Sequence, residues 1–190
     1  MVFALEPASE ERRDREPITI ERQMIQKGIL QVEDDENDVF LLRTVFERAG
    51  ITTPLHVVTD GQMAIDYLGR RGEFADSQKY PFPCLVLTDL NLPKRSGMEV
   101  LQWIRHHPRL KKLVVVVFSS SALPRDVDLA YELGANAYIQ KSADLNQLTE
   151  IASLLKGWWL GYNHFAPIVD SRMAEVAGMQ QQIPQVVRCP

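Results

Sequence analysis

Two cysteines in 190 residues are too few for a disulfide framework or a thiolate metal quartet; Cys84 heads an apolar stretch and Cys189 stands one residue from the end. Thiol chemistry is set aside, and a reducing compartment fits. Long apolar runs are also missing. No segment reaches the roughly 20 residues that span a bilayer, and the first 16 mix Glu, Arg and Asp where a secretory signal would be uninterrupted and apolar, so a cytoplasmic location is expected, with no membrane partner. Basic excess is absent too. Lys and Arg number 21 against 25 Asp and Glu, a net charge of -4, which lacks the footprint that binding a phosphate backbone requires; no direct nucleic-acid partner is expected. His56, His106, His107 and His164 share no metal-ligating spacing, and His106-His107 simply precede Pro108 at a helix end.

What is present is an alternation. With 45% hydrophobic and 24% charged residues the chain suits one soluble domain with extensions. Ile29-Leu30-Gln31-Val32 reads as a buried strand, and Val39, Leu42, Phe46 and Ala49 recur at helical spacing before Gly50. Leu55-His56-Val57-Val58 with Ala64, Ile65 and Leu68 makes a second unit, and Cys84-Leu85-Val86-Leu87 with Val100, Leu101 and Ile104 a third. Leu113 to Phe118 is a β-branched run of the kind covered on both faces, followed by a helix opened by Pro124 and stopped at Gly134. Ala137-Tyr138-Ile139 precedes a last helix carrying Leu148, Ile151, Ala152 and Leu155. Five βα units imply an α/β fold: a doubly wound, five-stranded parallel sheet of flavodoxin-like order 2-1-3-4-5 between two helical layers.

In such a sheet, side chains at the carboxyl ends of the strands converge on one crevice. Glu33, Asp34 and Asp35 follow the first strand, Asp89 the third and Ser119 the fourth, and Tyr138 and Lys141 belong to the fifth. Clustered carboxylates make an oxygen-rich pocket suited to a hard cation such as Mg²⁺, or Mn²⁺ in its place. The cation would remove their repulsion and neutralise an incoming phosphate, letting one carboxylate attack phosphorus and become an aspartyl phosphate. Asp89, at the end of the central strand, is the best nucleophile. Lys141 supplies a mobile positive charge for a phosphoryl oxygen, and the Ser119 hydroxyl a hydrogen bond. The plainer alternative makes Asp35 and Asp38 helix caps, Lys141 a surface lysine and Ser119-Ser120-Ser121 a polar loop. For Asp35 the cap is preferred; for the rest, their coincidence at strand ends favours the site.

These motifs resemble the receiver domain of bacterial two-component response regulators, over roughly residues 28 to 159. The resemblance implies Asp89 as phosphoacceptor within Leu87-Thr88-Asp89-Leu90-Asn91-Leu92-Pro93. It implies Asp34 as a direct metal ligand, Glu33 as one acting through water, and the Asn91 backbone carbonyl as a further ligand. Ser119 takes the place of the hydroxyl switch, Tyr138 of the aromatic switch and Lys141 of the family lysine. The phosphoryl donor is then a histidine on a partner sensor kinase, and the chain is no enzyme beyond its own phosphotransfer and dephosphorylation. A narrower resemblance, to stand-alone regulators paired with phytochrome-type kinases, rests on Thr59-Asp60-Gly61, Leu90-Asn91-Leu92-Pro93, Ala130 to Asn136, the long Glu73 to Pro83 segment and Trp158-Trp159-Leu160. Two positions depart from the pattern: Ser142 stands where a proline, joined by a cis peptide, commonly follows the lysine, and Thr88 replaces an aliphatic residue.

The remaining segments are read as an N-terminal extension, residues 1–27, and a C-terminal extension, residues 160–190, with an irregular path beyond Trp159. About 30 residues after the receiver are too few for a helix-turn-helix output module, so the signal is expected to leave by protein contact. Met63, Met98 and Trp103 are read as packing residues. Trp158 and Trp159, adjacent at the end of the last helix, cannot both face one core; an outward-facing member suggests a homodimer through that helix, the alternative being a tail that folds back over it. Two other functions compete. A metal-dependent phosphatase of the haloacid-dehalogenase type also forms an aspartyl phosphate but needs D-x-D where this chain has Asp89-Leu90-Asn91; a phosphorylation-independent scaffold would have no use for the acids and Lys141.

Overall fold

The computed structural model describes residues 28–166 and 168. The extension at residues 1–27 and most of the C-terminal one lie outside the described residues. Five short strands, β1 (Ile29–Val32), β2 (Leu55–Val58), β3 (Leu85–Thr88), β4 (Val114–Ser119) and β5 (Ala137–Gln140), form one parallel sheet in the order β2-β1-β3-β4-β5. Helices α1 (Glu36–Arg48), α2 (Gly61–Leu68), α3 (Gly97–His106), α4 (Pro124–Glu132) and α5 (Leu145–Leu155) alternate with them. The expected order is therefore the observed one, with β3 and β4 each starting and ending one residue later than their apolar runs suggested.

Burial follows strand alternation. Leu30, Val32, Val86 and Val115 pack toward α2 and α3, against Ala64, Ile65, Val100, Leu101 and Ile104. Ile29, Leu85, Leu87, Val114, Val116 and Phe118 pack toward α1 and α5, against Leu42, Val45, Phe46, Leu148 and Ala152. Every residue of β1, β3 and β4 is buried, as central strands covered on both faces must be.

Local chemistry sets the helix starts. Asp35 caps α1 by accepting from the Asn37 N–H, Asp60 caps α2 by accepting from that of Met63, and Ser96 with Glu99 closes a capping box on α3. Pro124 occupies the first turn of α4. The Asp35 cap is the one expected.

Two segments carry structure that the sequence reading did not assign. The long loop after α2 folds around a 3₁₀ turn, Gly72–Ala75, and roofs an aromatic cluster in which Tyr67 meets Phe74 and Tyr80 at centroid distances of 5.3 and 5.9 Å. After α5 the chain continues as a π-helical turn over Lys156–Tyr162, so the irregular path begins at Asn163 and not directly after Trp159. Trp158 is 65% exposed while Trp159 packs on the α1/α5 side of the core. Phe165 also packs on that side and Ile168 is buried among the α2/α3 side. Met63 and Trp103 border that core, and Met98 packs beside Leu90, Val117 and Ala130. Among the described residues no helix is long and apolar enough to cross a membrane.

Candidate functional site

The ladder runs one residue past each strand that feeds the site. The Glu33 N–H donates to the Val58 carbonyl at 3.0 Å, that of Asp89 to Val32 at 3.0 Å, and that of Lys141 to Ser119 at 2.8 Å. Side chains just beyond β1, β3 and β5 thus inherit the order of the sheet. The ends of β1 and β3 lie at the switch point at which a parallel α/β sheet opens a crevice, and the Lys141 side chain reaches it from the end of β5.

Lys141 is the hub. Its Nζ donates to Glu33 Oε2 at 2.6 Å, Asp38 Oδ2 at 2.7 Å and Asp89 Oδ2 at 3.1 Å. Only 10% of its side chain is exposed, against 2% for Glu33 and 10% for Asp89. The Phe118 ring lies 5.9 Å from the same nitrogen. Burial alone would lower the Lys141 pKa, but hydrogen bonds to Asp38 and Glu33 and the field of Asp89 outweigh it and hold it above the ordinary lysine value. Burial pushes the Glu33 carboxyl up, and the Lys141 contact offsets this only in part. The peptide between Lys141 and Ser142 is trans. Ser142 fastens the loop instead through its hydroxyl, which donates to Gln147 at 2.6 Å and accepts from the Asp144 N–H at 3.0 Å.

The β3–α3 loop fixes Asp89 from several sides. Its Oδ1 accepts from the Leu90 N–H at 2.5 Å, and the buried Thr88 hydroxyl donates to its carbonyl at 2.9 Å. A Cβ on Gly97 would stand 1.9 Å from that carbonyl oxygen, so only glycine lets α3 start this close. Lys94, at φ 61°, reaches back to the buried Asp60 at 2.6 Å and ties the loop to the N-terminus of α2. Burial alone would raise the Asp60 pKa; the Lys94 contact and backbone N–H groups overcome it and leave the carboxyl below its usual range. Asn91, in the same loop, is exposed, as is Asp34 beside Glu33.

Ser119 and Tyr138 form a second group. Ser119 is fully buried at the end of β4, its Oγ accepting from the Ser121 N–H at 3.4 Å. The Tyr138 hydroxyl donates to the Ser121 carbonyl at 2.9 Å, and the Ser121 hydroxyl to Asp126 at 2.6 Å. Burial raises the Tyr138 pKa, with Asp126 and Asp89 adding to the rise.

Of the expected residues, then, the structure links Glu33, Asp89 and Lys141 directly, joins Ser119 to Tyr138 through Ser121, and leaves Asp34 and Asn91 at the open rim. It adds Asp38, which sequence reasoning had as a possible cap, and the Asp60–Lys94 pair, of which only Asp60 stood in a motif. Among the described residues no three acidic, histidine or cysteine side chains already converge as a ligand set; the ammonium of Lys141 holds the centre.

Comparison with known proteins shows the family. Residues 29–153 match the response regulator receiver domain. Response regulator Rcp1 of Synechocystis sp. is 40% identical over 134 residues, which span 70% of this chain and 89% of Rcp1. The phosphorylated cyanobacterial phytochrome response regulator RcpA aligns with a TM-score of 0.67 at 38% identity, covering 74% of this chain and 98% of that one. The Mn²⁺-bound form of Rcp1 aligns at 0.66 and 37%, covering 74% and 99%. The chain belongs to the response regulator receiver domain family and is a homologue of phytochrome response regulators.

Proposed function

We propose that the chain is a phosphorylation-controlled switch in which Asp89 accepts a phosphoryl group from a phosphohistidine of a sensor kinase, of phytochrome type as for its relatives. One observation carries the reading: a single ammonium shared by carboxylates from the ends of β1 and β3 and from α1. These oxygens already surround a cation, and the hard donor set suits Mg²⁺ or Mn²⁺; Rcp1 has been solved with Mn²⁺ bound. Glu33, Asp34, Asp89 and the Asn91 carbonyl would hold the ion. When bound it neutralises charge on the transferring phosphoryl group.

In the transfer an Asp89 carboxylate oxygen bonds to phosphorus as the P–N bond to the imidazole breaks and its electron pair returns to nitrogen. Lys141 contacts one phosphoryl oxygen and Ser119 another. Turning Ser119 toward the new charge exchanges its contact with the Ser121 N–H, and Tyr138, bonded to the Ser121 carbonyl, follows. The face formed by α4, β5 and α5 is thereby biased to a second arrangement. Residues 28–159 make up the switching unit, working in the cytoplasm. A small phosphodonor such as acetyl phosphate should label the full chain only with Mg²⁺ present; equal labelling of Asp89→Asn would overturn the assignment of the acceptor. Turnover of p-nitrophenyl phosphate is not expected, since Asn91 replaces the second acid of a phosphatase.

The output proposed is self-association. Ile139, Ile151, Leu154, Leu155, Trp158 and Trp159 line an apolar groove of about 260 Å³ along α5. A second copy fits it best, because a two-fold axis sets like against like and none of these residues carries a charge to repel itself. Sedimentation of Trp158→Glu beside the wild type tests this: a wild-type dimer reduced to monomer supports it, a monomer in both overturns it.

A further inference from the structure

Asp38 is an acid for which the expected site had no use. It occupies the third position of α1, where an acidic side chain commonly reaches back to the cap. Here the cap is closed by Asp35 and the Asn37 N–H, and Asp38 turns instead to Lys141 at 2.7 Å. The three acceptors of the ammonium are not equivalent. Glu33 and Asp89 are 2% and 10% exposed, whereas Asp38 is 35% exposed and so bounds the ammonium on its water side.

The other two acceptors have a second claim on them. With Glu33 and Asp89 as metal-side acids, the reading given above and the one on which this inference rests, Lys141 stands where a dication needs room, because two positive charges sharing one carboxylate repel at close range. The ammonium must give up Glu33 without leaving the crevice, and its four-carbon stem allows that. We propose that Asp38 is a positioning residue that retains Lys141 while Glu33 and Asp89 are released to the metal. It is the counter-ion Lys141 keeps throughout, on a helix whose start is fixed independently by its cap.

The test is a double-mutant cycle on Mn²⁺ affinity, read from the electron paramagnetic resonance of free Mn²⁺ with the full chain. Asp38→Asn should weaken Mn²⁺ binding about fivefold, the size of one partly exposed ion pair, and Asp38→Glu should restore it to within about twofold. In a Lys141→Met background, Asp38→Asn should change affinity by less than about twofold, because its effect runs through Lys141. Unchanged affinity in Asp38→Asn alone would overturn the inference. A full loss persisting without Lys141 would overturn it as well, by showing that the Asp38 charge acts directly on the ion. Absence of Mn²⁺ binding by the wild type would overturn the metal reading itself, a distinct result. Circular dichroism confirms that each variant is folded, with Asp38→Ser standing in for Asp38→Asn and Lys141→Gln for Lys141→Met where one is not.

Discussion

Two lysines on loops at the same end of the sheet, one after β3 and one after β5, meet acids in opposite ways. Lys94 is 64% exposed and faces one acid, Asp60, whose side chain is 7% exposed. Lys141 is 10% exposed and faces three. The first arrangement is balanced, one charge for one, and it holds a loop to a helix. The second is two positive charges short, and burial gives its acids little water to make up the deficit. Imbalance marks the working site: a balanced buried pair needs nothing further, whereas a cluster with surplus negative charge next to a strand end attracts a cation and, through it, a phosphoryl group.

Lys141→Met should strain this contrast most. Removing the ammonium leaves Glu33 and Asp89 buried beside each other, at a cost of about 3 kcal/mol. Urea denaturation of the variant should show that loss and a partial recovery in millimolar Mg²⁺; a variant that loses as little as the Lys94 substitution below would dissolve the distinction between the two lysines. Gly97→Ala comes next. Its methyl meets the Asp89 carbonyl oxygen at 1.9 Å, and backbone must move, for about 2 kcal/mol. The shift falls on Asp89, so acetyl phosphate labelling should drop together with stability; unchanged labelling would mean that the loop absorbs the methyl elsewhere.

The contrast also explains what sequence could convey. Strand ends were legible because each apolar run stops where a charged or hydroxyl residue begins, and Glu33, Asp89 and Ser119 are found there. Run lengths misplaced β3 and β4 by one residue because the buried Cys84 and Leu113 extend the apolar runs ahead of the strands, Leu113 turning its N–H to the Leu110 carbonyl, while Thr88 and Ser119 complete the strands despite their hydroxyls. Asp38 was not legible as a site residue: it lies 103 positions from Lys141 and its neighbourhood reads as an acidic first helical turn. The Asp60–Lys94 tie was hidden likewise, its partners 34 positions apart. Gly61 has its own reason, since a Cβ there would stand 2.0 Å from the Arg95 carbonyl oxygen. The π-helical turn escaped because Gly157 and Gly161 break the helical pattern while Trp159 and Leu160 still pack on the core.

Thr88→Val probes a smaller element of the site. The hydroxyl donates to the Asp89 carbonyl in a fully buried position, and its removal should cost about 1 kcal/mol. Labelling of Asp89 should remain within about twofold, since Leu90 and Gly97 still hold the loop. A larger loss of labelling than of stability would make Thr88 part of the charged site and not of its scaffold.

The smallest effect belongs to the balanced lysine, and its pH dependence is the cleanest test of balance. Lys94→Met should cost about 0.5 kcal/mol at pH 7, discounted for an exposed lysine. The Asp60 pKa is depressed in the folded chain from an ordinary value of 3.8, so the unfolded chain takes up protons first as pH falls. The pair's contribution is therefore complete above about pH 4 and disappears as pH drops through the folded value. Wild type and Lys94→Met should differ by a constant amount from neutral pH down to that window and converge below it, and Mg²⁺ should leave the difference unchanged. A gap that Mg²⁺ narrows would place Lys94 in the same electrostatic unit as Lys141, and the rim would then hold one charge cluster of two lysines and four acids in place of a site and a separate clamp.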